Sequence, residues 1–181
     1  IMIATTPLVA EARGAKTPEK IPTIARQSLW VALILGVVAM FILQCMPLLL
    51  PYFGVPEHLL PKASLFLHAI GFGMPAVMMY AALRSYSEAL GHPRPVTVIS
   101  LLALLVLIPL NFIFMYGFGP IPALGSAGCG FATAILQWLM FITLAIYISK
   151  ARAYKQAPIF TQWEKIDQTW VKRILKLGTN K

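Results

Sequence analysis

Asn111 stands two residues after Pro109 in the stretch IPLNFIFMYG, residues 108–117. Its side chain brings two amide donors and a carbonyl acceptor into a run otherwise greasy enough for lipid. Proline has no N–H, so in a helix Pro109 leaves the carbonyl of Leu105 without its usual partner. Pro75 and Pro47 treat the carbonyls of Gly71 and Leu43 in the same way, and Pro75 and Pro109 are the two candidate helix breaks. A freed carbonyl beside an amide oxygen can form a cation or proton site when the pair lines a cavity. The same residues can also serve packing alone, with Asn111 bonded across to a neighbouring helix for about 0.6–2 kcal/mol. Spacing leaves both uses open.

The remaining polar groups are sparse. His68 titrates near neutrality in its free form and lies near one end of an apolar run, while Gln44 and Gln137 lie within theirs. Arg84 and Glu88, four apart, are spaced as a pair on a helix surface. Cys45 and Cys129 sit in apolar contexts without zinc or redox spacing, which suits two small buried hydrophobes. The segment ALGSAGCGFATA, residues 123–134, places Gly125 and Cys129, Ser126 and Gly130, and Gly130 and Ala134 four apart. Such a helix face lets a second backbone approach closely. It is no phosphate loop, because no Lys-Ser/Thr follows it.

The elements that must hold these groups follow from composition. Of the 181 residues 59% are hydrophobic and 12% charged, against about 25% charged in an ordinary globular domain. Four runs are long enough, at roughly 20 residues, to cross a bilayer as helices: 28–50, 63–83, 96–116 and 124–149. None carries a Lys, Arg, Asp or Glu. Backbone polar groups without water must be satisfied within the segment, so helices and not open strands are expected. The expected fold class is an all-α membrane protein.

The net charge of +9 is distributed as a membrane protein's loops and not as a nucleic-acid face. Apart from Lys62, every Lys and Arg lies in residues 13–26, 84–94 or 150–181, alternating with the uncharged runs. The positive-inside rule places those loops on the cytoplasmic side. Residues 1–10 read as the remnant of a preceding span in a chain cut from a longer protein. In the tail, residues 150–181 read as a cytoplasmic linker. Within it Trp163, Ile166, Trp170, Ile174 and Leu177 recur at helical spacing opposite Lys165, Lys172 and Lys176, an amphipathic helix suited to the inner leaflet or to packing on a larger domain. A membrane enzyme would need clustered Asp, Glu or His at the surface; Glu11, Glu19, Glu88 and His92 form no such set. The sequence therefore points to no enzyme, cofactor or nucleic-acid partner.

Taken in order, TPLVAEARGAKTPEKI, ALRSYSEALGHPRPVTVIS, IPLNFIFMYG and PALGSAGCGFATA resemble the amino-terminal half of multidrug and toxic compound extrusion (MATE) transporters of the NorM-like branch. The resemblance covers residues 1–149, domain boundaries included, and implies a partial helical bundle, from the end of span two through span six of twelve. It implies secondary active efflux, with cationic amphipathic drugs exchanged for sodium ions or protons by alternating access in the bacterial inner membrane. The partners implied are the bilayer, the drugs, span one and a carboxy-terminal lobe. Asn111 matches the Asn or Asp of the family's ion site in span five, and Cys129 the small polar position beside it in span six. Where many members carry a second asparagine one turn before Asn111, this chain has Leu107. A lipid-linked precursor flippase shares the architecture but is expected to carry basic residues facing its cavity; a non-transporting membrane structural subunit is the other alternative.

Overall fold

The structure, a computed structural model, describes residues 20–54, 56–118, 123–151 and 154. Four long helices account for most of them: α1 (Lys20–Cys45), α2 (Leu60–Ala89), α3 (Arg94–Tyr116) and α4 (Ser126–Lys150). Each contains a stretch long and apolar enough to cross a membrane. The expected remnant at 1–10 and the amphipathic tail helix lie outside the described residues.

The helix bounds differ from the apolar runs for local reasons. α1 begins well before Ser28 because its first turns are buried by partners: Ile24, Ala25, Gln27, Ser28, Val31 and Ala32 are all nearly inaccessible, and Arg26 is buried with them. Ser28 also donates its hydroxyl to the carbonyl of Ile24 at 2.8 Å. At the other end α1 stops at Cys45, short of residue 50. Pro47 and Pro51 supply no amide to continue it, and the chain passes through two 3-10 turns, Met46–Leu48 and Leu50–Phe53. Prolines near the start of α2 and α3, Pro61 and Pro95, sit where a missing N–H is harmless. α2 outlasts its apolar run by six residues, its last turns held by buried Ser85, Tyr86 and Ser87. α4 starts at Ser126, after Gly125 at φ 57°. Neither expected break interrupts its helix: Pro75 lies inside α2 and Pro109 inside α3.

Consecutive helices run antiparallel, but the spatial order is α1, α2, α4, α3. α4 thus inserts between the two helices that precede it in the chain. At the basic end all four converge in one cluster: Ile24, Ala25 and Val31 of α1, Tyr80, Leu83 and Tyr86 of α2, Val96 and Ile99 of α3, Leu144 and Ile148 of α4, with Tyr154. Tyr80 ties α2 to α3 through a 3.0 Å hydrogen bond with Ser100. Arg84 and Glu88 make the expected surface pair at 2.8 Å.

Small residues set the closest approaches. Gly36 of α1 abuts Pro75, and a Cβ there would stand 2.5 Å from the proline Cα. Gly73 faces Ala134 across the α2–α4 contact, and Gly130 meets Phe66 and Ala69 of α2. The glycine-rich start of α4 therefore works as a packing surface, and it serves two neighbours: Gly130 and Ala134 take α2, while Gly128 takes α3.

Candidate functional site

The end of α3 and the start of α4 are sewn together by the backbone. The last carbonyls of a helix have no partner within it, and here Ile113 accepts the Gly117 amide at 2.9 Å, Phe114 that of Leu124 at 3.1 Å, and Met115 that of Gly125 at 3.1 Å. Positive φ angles at Gly117 (78°) and Gly125 (57°) let the chain make these turns. The stitching brings α4 so close that Gly128 lies on the Phe114 carbonyl, with no room for a side chain. The rings of Phe114 and Phe131 stack beside it with centroids 6.4 Å apart.

Asn111 sits one turn before Phe114 on this crossing, and Cys129 sits one residue after Gly128. The two sequence candidates are thus on the two helices of one crossing, at the same end. The Oδ1 atom of Asn111 is buried and has no hydrogen-bond partner among the described residues. Nearly all buried polar atoms find a partner, and an orphaned one costs about 1–3 kcal/mol. Such an oxygen is a ready ligand for a cation or for a proton donor. Cys129 is a half-buried free thiol whose carbonyl accepts the Thr133 hydroxyl at 2.8 Å. Leu107, one turn before Asn111, is half-buried and apolar.

Pro109 does not share a helix face with Asn111. Two residues rotate a helix by about 200°, so Pro109 and Asn111 point in nearly opposite directions. Pro109 and Leu105 are exposed, whereas the Asn111 oxygen is buried. The carbonyl that Pro109 frees is therefore on the far side of the helix from the amide. Pro75, by contrast, is buried.

Other polar side chains within the spans find each other. His68 of α2 hydrogen-bonds Gln44 of α1 through Nδ1 and the amide Oε1. Trp138 of α4 donates its indole N–H to the carbonyl of Phe72 in α2 at 3.0 Å. At the basic end Tyr154 is buried against the α2–α3 connection: its hydroxyl bonds Ser87, which in turn donates to the His92 carbonyl at 2.8 Å. The Tyr154 ring lies 5.9 Å from Tyr86, 5.7 Å from His92 and 6.3 Å from Tyr147. Burial pushes its phenol above the usual value, opposed by the bond with Ser87. The Pro75 signal could have directed attention to a donor like Trp138; nothing in the sequence singles out Tyr154. Among the described residues no three His, Cys, Asp or Glu side chains come together as a metal site would require.

Four long apolar helices, interlocked by glycine and joined by few polar side chains, define a polytopic α-helical membrane protein. The profile of the MatE family matches residues 1–113. The chain belongs to that family, in its NorM-like branch, as the sequence blocks imply. A probable multidrug resistance protein NorM of Acinetobacter baylyi is 77% identical over 178 residues, 98% of this chain and 40% of the relative. The multidrug resistance protein NorM of Vibrio cholerae is 34% identical over the same share of this chain, 39% of its own length. Among solved structures, the MATE transporter NorM-NG, determined in complex with a monobody, superposes with a TM-score of 0.77 at 29% identity, covering 98% of this chain and 39% of that one. The eukaryotic MATE transporter AtDTX14 gives 0.79 at 17% identity, covering 98% and 38%, a likeness of fold. The chain thus spans about 40% of the length of the curated relatives it matches.

Proposed function

We propose that this chain forms part of the amino-terminal lobe of a secondary active multidrug efflux transporter, from the end of span two through span six. The reading is carried by the 77% identity to a NorM relative along 98% of the chain. The whole protein would exchange cationic amphipathic drugs for sodium ions or protons by alternating access, using span one and a carboxy-terminal lobe to complete the cavity. It would lie in the bacterial inner membrane with the basic loops facing the cytoplasm, as the charge distribution supports.

In this reading Asn111 and Cys129 contribute to the coupling-ion site of the lobe. The buried, unpartnered oxygen of Asn111 supports that role, since a coordinating cation or a protonated neighbour would supply the missing bond. Each ligand can shift the equilibrium between inward-open and outward-open states only by its difference in affinity for the two. A monovalent cation moving inward across 100 mV releases about 2.3 kcal/mol, and a singly charged cationic drug moving outward costs the same, so a one-for-one exchange would be driven by the concentration gradient of the ion. Pro75 and Pro109 are candidate bending points during that exchange. The test is drug transport by the whole protein in liposomes, with sodium and pH gradients imposed separately. Uptake driven by one gradient is the expected result, and absence of uptake under both removes the proposal.

A further inference from the structure

The turn of α2 before Pro75 is gripped from both sides by side chains of other helices. Pro75 has no N–H, so the Gly71 carbonyl loses its intrahelical bond. From α4, the Trp138 indole donates to the next carbonyl, that of Phe72, at 3.0 Å. From α1, the Gln44 amide covers Gly71, its Nε2 lying 3.4 Å from where a glycine Cβ would stand, while Oε1 of the same group holds His68 one turn earlier. Gly36 presses its bare Cα face against Pro75 and Met74. Membrane helices tolerate a proline where neighbouring helices re-satisfy the loosened backbone groups, and a helix that lacks one of its own bonds bends most easily at that turn.

We propose that α2 carries a joint at Gly71–Pro75 whose angle is set by the Trp138 indole, which makes Trp138 a positioning residue for the outer half of α2. That half carries His68 and the Phe66 and Ala69 surface packed on Gly130. With the indole bond in place, the two halves of α2 hold one relative angle against α4. When the bond is lost, a second angle becomes accessible. The inference goes beyond the transport reading and does not depend on what the whole protein carries.

The test measures distances between spin labels attached through Leu65→Cys, in the outer half of α2, and Ile146→Cys in α4, two exposed positions, in a cysteine-free form of the whole protein in lipid nanodiscs. Trp138→Phe keeps an aromatic ring and removes the donor. It is expected to add a second, displaced distance population. In a Pro75→Ala background, where the Gly71 carbonyl regains an amide, the same Trp138→Phe change is expected to leave the distribution unmoved. An unaltered distribution for Trp138→Phe beside the native proline overturns the proposal, and so does an equal displacement in both backgrounds, which would make Trp138 simple packing.

Discussion

Gly128 lies directly on the carbonyl of Phe114, and a Cβ added to it would also stand 2.9 Å from the Met115 nitrogen. In an ordinary helix interior, alanine is better than glycine by about 1 kcal/mol. Here the obstacle is backbone, which cannot swing aside as a side chain can. Overpacking of this kind costs about 1–3 kcal/mol, so the clash outweighs the propensity gain. Gly128→Ala is expected to lower the thermal unfolding temperature of the whole protein in detergent, and Gly36→Ala to do likewise against Pro75. Gly54→Ala meets no atom within 4 Å and strains only its positive φ of 72°; its effect is expected to be the smallest of the three.

Asn111 separates function from stability. If its buried oxygen were part of a packing network, removing it would weaken the fold. With no protein partner among the described residues, the oxygen is a liability of about 1–3 kcal/mol, and Asn111→Leu is expected to hold or raise thermal stability. The same variant is expected to abolish ion-driven drug transport under the proposed function. Cys129→Ala is expected to reduce coupling without changing expression. Full transport by Asn111→Leu would take Asn111 out of the ion site.

Tyr154 anchors the chain after α4. Its phenol is raised above the usual 10.0 by burial, so the neutral form is the one that the packed state favours. For a group raised on folding, the stabilisation is whole below the unfolded value and fades as pH climbs through the folded one. The contact is therefore expected to be constant through neutral pH and to loosen only in strong alkali, above about pH 10. Tyr154→Phe removes one hydrogen bond, worth about 1 kcal/mol, and is expected to speed protease cleavage after Lys150 only slightly. Tyr154→Ala empties the aromatic cluster and is expected to speed it strongly.

His68 and Gln44 form a polar link between α1 and α2. Interhelical hydrogen bonds in membranes are worth about 0.6–2 kcal/mol. A double-mutant cycle with His68→Leu and Gln44→Leu is expected to give a coupling energy in that range by reversible unfolding. Strict additivity of the two changes would dissolve the link.

How much of this is legible in the chain depends on whether a residue's environment comes from its own segment. The uncharged runs announce four helices because no water is available to rescue an open backbone. Their ends are hidden: the polar start of α1, with Gln27 and Ser28, and the polar finish of α2, with Ser85 and Ser87, are buried by other helices. Asn111 is conspicuous because an amide is rare in such surroundings. Its nearness to Pro109 in sequence misleads, since a two-residue step puts the pair on opposite sides of α3. The neighbour order α1, α2, α4, α3 and the Trp138–Phe72 bond join residues far apart in the chain, and no local pattern encodes them.

The insertion of α4 between α2 and α3 has a consequence for biogenesis. α2 is the least apolar of the four spans and α3 the most apolar. When synthesis has reached only α3, the niche of α2 that receives Gly130, Ala134 and Trp138 has no occupant from this chain. α3 is the better suited of the two to partition into lipid unaided, whereas α2 completes its packing only when α4 arrives. Losses at the α4 face of α2 should therefore surface first as failed membrane integration of the nascent chain.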